Sequence, residues 1–132
     1  MTINEILSTG LNIAATQATP EIQTDFAQGI MTMRGDSYPE NSFEFFGPVL
    51  DWVEQFLAHD GRPLRLELHI VYMNTSSVKA MMDLFDLLEA AHQEGKQVAV
   101  NWSYDPRNER VVEMVEEFKE DCTFTFNINP EA

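Results

Sequence analysis

The sequence predicts a single α/β domain, with a mixed sheet in the order β-β-α-β-α-β-α-β and helices mainly on one face. Three observations carry this. Apolar and polar residues alternate at Leu64, Leu66, Leu68, Ile70 and Tyr72, at Val98, Val100 and Trp102, and at Phe124, Phe126 and Ile128, the period of strands wetted on one side. Between these stretches the spacing changes to three and four residues, as at Val78, Met81, Met82, Phe85 and Leu88, which is the spacing of amphipathic helices. Strand, helix and strand in succession then require right-handed parallel crossovers. Strands covered on both faces read as continuous apolar runs instead. The interleaved Arg65, Glu67, His69, Gln97, Asn101, Thr125 and Asn127 therefore leave one face of the sheet open and argue against a doubly wound arrangement.

The elements follow in order along the 132 residues, a length that suits one domain with its own core. Residues 1–19 are rich in Thr, Ala, Asn and Gln, with a weak apolar set at Ile3, Ile6, Leu7 and Leu11. They read as a loosely ordered leader, and residues 20–130 as the domain proper. Residues 20–26 and 30–34 suit a β-hairpin around Ala27-Gln28-Gly29. Gly35-Asp36-Ser37-Tyr38-Pro39-Glu40-Asn41-Ser42 is a dense run of turn and capping types. A helix over residues 41–58 is predicted by Phe46, Val49, Leu50, Val53, Phe56 and Leu57 on one face. Pro48 is tolerated only in a first turn, so either the regular part begins near Gly47 or residues 43–46 form a separate turn. After the strand at 64–72 and the second helix, Gly95-Lys96 is a stop, and Asp105-Pro106-Arg107-Asn108 a turn. Val111, Val112, Val115 and Phe118 mark a third helix over 108–120, and the last strand closes the chain.

Composition removes several functions. With 22 acidic and 8 basic residues the formal charge is −14, which repels both nucleic acid and anionic lipid. No apolar run is long enough to span a membrane, and the first basic residue is Arg34, so no targeting segment is expected and the cytoplasm is the expected location. Cys122 is the single cysteine, which excludes an internal disulfide and fits a reducing compartment. His59, His69 and His92 are scattered, without metal-ligand spacing. The glycines form no phosphate-cradling loop, and there is no nucleophile elbow. Glu113, Glu116, Glu117, Glu120 and Asp121 read as the solvated side of the third helix. An enzyme is disfavoured, and no metal and no cofactor are expected.

What remains is Tyr72-Met73-Asn74-Thr75-Ser76-Ser77-Val78-Lys79, where a strand runs through three hydroxyl residues into a helix. Asn, Thr and Ser are ordinary N-caps, and a cap alone would explain any one of them. Four such residues at one junction also suit a phosphoacceptor, at the positive end of a helix dipole that tolerates added negative charge. Thr75 lies earliest, at the strand exit, and is the expected acceptor ahead of Ser76 and Ser77. Lys79 is the nearby base, and there is no arginine cluster in sequence to clamp a phosphate. Such a mark would act on a partner contact through charge and bulk. Phe43, Phe45, Phe46, Trp52 and Tyr38 concentrate aromatics around the first helix. Phe46 suits the core, whereas Phe45 and Trp52 on the flank of its stripe suit either core or interface. Met82 likewise could face a partner helix.

A hairpin, a helix and a strand leading to a hydroxyl motif at a helix start resemble a STAS domain, the fold of the anti-sigma-factor antagonists. Asn74 stands where those proteins carry an acidic residue, and Thr75 where they carry the acceptor serine. Gly35 to Ser42, together with Tyr72 to Ser77 and Lys79-Ala80-Met81-Met82-Asp83, more closely resembles the SiaC family of bacterial regulatory phosphoproteins. That resemblance implies a switch protein whose Thr75 is phosphorylated by a SiaB-type kinase, which also acts as phosphatase and itself holds the ATP and magnesium. It implies that the unphosphorylated form binds and activates a SiaD-type diguanylate cyclase, raising cyclic di-GMP and favouring aggregation and biofilm formation. Tyr38, Asn41, Phe45, Trp52, Asn74, Thr75, Ser76, Lys79 and Met82 are the expected partner-binding residues, on a protein that is monomeric when free. The alternatives are an anti-sigma-factor antagonist of the partner-switching type and, more remotely, a small enzyme.

Overall fold

The alternating stretches become strands whose apolar sides all face one way. In the computed structural model, which describes residues 3–59 and 61–131, the order is α1 (Ile3–Thr9), β1 (Asn12–Ile13), β2 (Glu21–Asp25), β3 (Ile30–Ser37), α2 (Ser42–His59), β4 (Leu64–Met73), α3 (Thr75–Gln93), β5 (Val98–Tyr104), α4 (Glu109–Glu120) and β6 (Thr125–Pro130). The six strands form one mixed sheet in sequence order. β1, β2 and β3 are antiparallel neighbours, and β3 to β6 run parallel.

Register explains the two faces. Met31, Leu66, Val100 and Phe126 lie opposite one another across four strands and are all buried with the inner stripes of α2, α3 and α4. Each such side chain contributes about 1.5–3 kcal/mol by leaving water. One residue along, Thr32, Glu67, Asn101 and Asn127 form the matching row on the other side. There Asn127 Nδ2 donates to Asn101 Oδ1 at 2.9 Å, and Asn101 Nδ2 to Glu67 Oε1 at 3.1 Å. This polar row is why the strands alternate, and it leaves that face to solvent. Gly29 closes the β2–β3 hairpin at φ +68°, where a Cβ would meet the Pro63 carbonyl oxygen at 2.4 Å, so only glycine fits.

Two expectations are corrected. The stretch read as a loosely ordered leader contains α1 and β1. β1 pairs Asn12 with Gln23 and Ile13 with Ile22, Leu11 N donates to Thr24 Oγ1 at 2.8 Å, and Leu7 is buried in the core. A seven-residue helix and a two-residue strand are too short to display a period, so pattern reading passes over them. Met1, Thr2 and the side chains of Ile3 and Ile6 lie outside what is described. Second, α2 is continuous through Pro48 rather than broken before it. Pro48 cannot donate to the carbonyl of Glu44, but both residues lie on the exposed side, where water can take the donor's place.

Candidate functional site

β3 and β4 are parallel central strands that end side by side, and α2 and α3 start there, so the motifs at residues 35–42 and 72–79 meet at the C-terminal end of the parallel strands. Asn74 is the N-cap of α3, with extended backbone (φ −77°, ψ 171°). Its Oδ1 accepts from Ser77 N at 2.9 Å and from Ser76 Oγ at 3.2 Å, and its Nδ2 reaches the Pro39 carbonyl at 3.4 Å. With the cap supplied by Asn74, the three hydroxyls are free for other uses.

The structure sorts them. Ser77 is buried and its Oγ lies 2.8 Å from Ser37 Oγ, itself buried, at the end of β3. Ser76 Oγ lies 2.7 Å from Ser42 Oγ, at the first residue of α2. Thr75 is exposed, and its hydroxyl makes no hydrogen bond among the described residues. Ser76 and Ser77 thus fasten the junction, whereas Thr75 is held on a fixed helix start with its hydroxyl directed to no protein group.

Exposed apolar side chains concentrate around this end of the sheet. The β3–β4 pairing advances from Gly35 opposite Ile70 to Ser37 opposite Met73, so β4 carries one extra residue at Val71–Tyr72. This bulge reverses the alternation: Met73 turns inward, and Tyr72, which the sequence period places on the core side, is exposed and packs edge-on against Tyr38 with ring centroids 5.6 Å apart. On β3 the same irregularity coincides with Gly35 at φ +125°. Tyr38, Phe43, Val71, Tyr72 and Met82 are the exposed large apolar residues among those described. Tyr38 follows β3, Val71 and Tyr72 lie at the end of β4, Phe43 is at the start of α2, and Met82 lies two turns into α3. Phe43, 91% exposed, is the most prominent; it falls off the α2 core stripe and is not among the partner-binding residues expected from sequence.

The other expected partner residues divide. Asn41 is exposed and caps α2, accepting from Glu44 N at 3.0 Å. Lys79 is exposed but pairs with Asp83 at 3.2 Å along α3. Phe45 is half-buried, edge-on to Phe46 at 4.9 Å. Trp52 is a correction: it is 5% exposed, packs on Phe56, and donates Nε1 to the Leu7 carbonyl at 3.1 Å. The α1 segment that covers it was invisible as a period, and so Trp52 read as a flank residue open to a partner.

No phosphate clamp stands ready in the arginines paired by side chain. Arg34 faces Glu131, Arg65 faces Glu67, and Arg107 faces Asp105. The Arg107 hydrogen bonds hold the Asp105 carboxyl down to about 2. Glu89 is likewise lowered to about 2, chiefly by hydrogen bonds from the side chain and backbone of Thr123, which fasten α3 to the start of β6. The Cys122 thiol is pushed up to about 11, first by burial and then by Glu89, Asp121 and Asp86, so it stays a protonated, poor nucleophile. Among the described residues no helix is long and apolar enough to cross a membrane.

An open mixed sheet whose junction leaves one hydroxyl unbonded at an end rich in exposed apolar side chains defines a small α/β protein-binding module. The chain belongs to the SiaC family of regulatory phosphoproteins, which matches residues 13–131. It is 61% identical over 118 residues to an uncharacterized protein of Pseudomonas aeruginosa strain UCBPP-PA14, spanning 89% of this chain and 94% of that one. The crystal structure of apo-SiaC from Pseudomonas aeruginosa is similar at a TM-score of 0.87 and 59% identity, covering 90% of this chain and 97% of that one. A chain in the crystal structure of the diguanylate cyclase SiaD in complex with its activator SiaC, from the same species, is similar at a TM-score of 0.89 and 60% identity, covering 92% and 99%.

Proposed function

We propose that the protein is a cytoplasmic activator of a SiaD-type diguanylate cyclase, switched off by phosphorylation of Thr75 by a SiaB-type kinase. The observation that carries the reading is the sorting of the hydroxyls. Ser76 and Ser77 are each engaged by another serine, and only Thr75 is exposed and unbonded, at the end of the sheet where the exposed Tyr38, Phe43, Tyr72 and Met82 concentrate. The solved relative bound to a cyclase favours this reading over a sigma-factor antagonist.

These side chains supply apolar contact, and the Thr75 phosphate supplies the veto. A phosphothreonine carries about −1.5 to −2 charges at neutral pH. The α3 dipole offsets part of this in the free protein, but covering the group with an apolar partner surface costs on the order of several kcal/mol. Binding then selects the unmodified form. The kinase, rather than this chain, would hold ATP and magnesium.

The test is binding of purified cyclase to wild type, Thr75→Ala, Thr75→Asp and Phe43→Ala. Thr75→Ala should bind like wild type, Thr75→Asp should bind at least tenfold more weakly, and Phe43→Ala should lose affinity while melting within about 0.5 kcal/mol of wild type, as surface changes do. Equal binding by all four would defeat the proposal.

A further inference from the structure

A groove between α3 and α4 begins beside the Thr75 junction and extends away from it along α3. Val78, Met82 and Phe85 line it from α3, and Met114, Phe118 and Cys122 from α4 and its C-terminal end. Its rim carries Asp86, Glu117 and Asp121, and the basic residues of these two helices, Lys79, His92, Arg110 and Lys119, do not line it. The volume is about 180 Å³, below the roughly 300 Å³ at which small-molecule sites begin and suited to one large side chain. Its floor is firm, since the Phe85 and Phe118 rings pack at 5.3 Å over the buried Trp102. Its walls are adaptable, because both methionines are unbranched.

We infer that this groove is a second docking point for the cyclase, taking one apolar side chain of a basic amphipathic helix whose lysines or arginines face Asp86, Glu117 and Asp121. The inference rests on the cyclase reading above and specifies the partner's chemistry. Three carboxylates around an apolar slot select against an acidic occupant. A second copy of this chain, at a net charge of −14, and an anionic membrane are both disfavoured by like charge. A cationic helix satisfies both components, with its apolar stripe in the slot and its flanking bases on the rim.

Position links the groove to the switch. Thr75, Val78 and Met82 follow one another along one side of α3, so Met82 belongs to both the exposed apolar set and the groove. A helix lying in the groove would run toward the Thr75 hydroxyl, about 10 Å from Met82 at the helical rise. That is within roughly one Debye length at moderate salt.

The experiment measures affinity for purified Pseudomonas aeruginosa SiaD cyclase at low and high salt, using wild type, the charge-reversed Glu117→Lys/Asp121→Lys, the groove-filling Met114→Trp, and Thr75→Asp. The charge-reversed protein should bind at least tenfold more weakly at low salt and lose most of the salt dependence. Met114→Trp should also bind more weakly, and melting temperature and labelling of Thr75 by the kinase should match wild type in both. If both groove variants bind like wild type while Thr75→Asp does not, the groove inference falls and the switch stands. If wild type fails to bind the cyclase, both fall. If light scattering shows a wild-type dimer that the groove variants dissociate, the occupant is a second copy and the inference is overturned.

Discussion

Replacing Asn74 by Ala removes the cap that frees the hydroxyls for other work, and its cost can be worked from the contacts. The bond from Ser77 N to Asn74 Oδ1, at 2.9 Å, is an N-cap interaction worth about 1 kcal/mol, within a range of roughly 0.5–2. The Nδ2 contact to the Pro39 carbonyl, at 3.4 Å, is long and adds under about 0.5 kcal/mol. Ser76 Oγ loses one partner but keeps Ser42. The sum is about 1–1.5 kcal/mol, or a melting temperature lower by roughly 3–7 °C for a chain of this size. Asn74→Asp keeps the acceptor and adds a negative charge at the helix N-terminus, favourable by about 0.3–1 kcal/mol, so it should melt close to wild type at neutral pH. Thermal and urea unfolding of the three proteins followed by circular dichroism make the comparison. An Ala variant as stable as wild type, or an Asp variant as unstable as Ala, would refute the assignment of Asn74 as the cap.

Ser37 and Ser77 form a buried hydroxyl pair. Either Ala variant alone should cost about 1–3 kcal/mol by leaving the other hydroxyl unpaired, and the double variant less than the sum of the two; additive losses in a urea-unfolding cycle would argue against the pair. Trp52→Phe keeps the core apolar but deletes the donor to the Leu7 carbonyl. It should cost about 1–2 kcal/mol and speed amide exchange selectively in residues 5–13, and uniform exchange there would show that the bond does not hold α1. Glu89 titrates at about 2 instead of the ordinary 4.5. Its carboxylate therefore contributes stability that is fully present above pH 4.5 and is lost as pH falls toward 2. Glu89→Gln should melt lower than wild type at neutral pH, with the difference closing near pH 2; a constant difference across the range would contradict the linkage.

Long periodic elements were legible because burial on one side imposes a period, as in β4, β5, α3 and α4. α1 and β1 were not, since their contribution lies in tertiary contacts: Leu7 beside Trp52, and Leu11 beside Thr24. The same gap misplaced Trp52, whose burial depends on a cover far away in sequence. Pro48 misled because the rule against proline inside a helix assumes an unsatisfied carbonyl in a dry setting, whereas this one lies on a wet face. Within the site, the hydroxyl cluster could be found from composition, but the roles of its members could not. The pairing of Ser77 with Ser37 and of Ser76 with Ser42 spans a crossover, and the outward turn of Tyr72 comes from a bulge that no local alternation reveals. Phe43 could have been singled out, since it falls off the α2 stripe and follows a cap.

The most direct test of the switch is cyclic di-GMP synthesis by the purified cyclase with the protein added either untreated or stoichiometrically phosphorylated by the kinase, with the modified residue mapped by mass spectrometry. The account predicts phosphate on Thr75, activation by the untreated protein, and loss of activation on phosphorylation that phosphatase treatment restores. Phosphate on Ser76 or Ser77 instead, or equal activation by both forms, would contradict it.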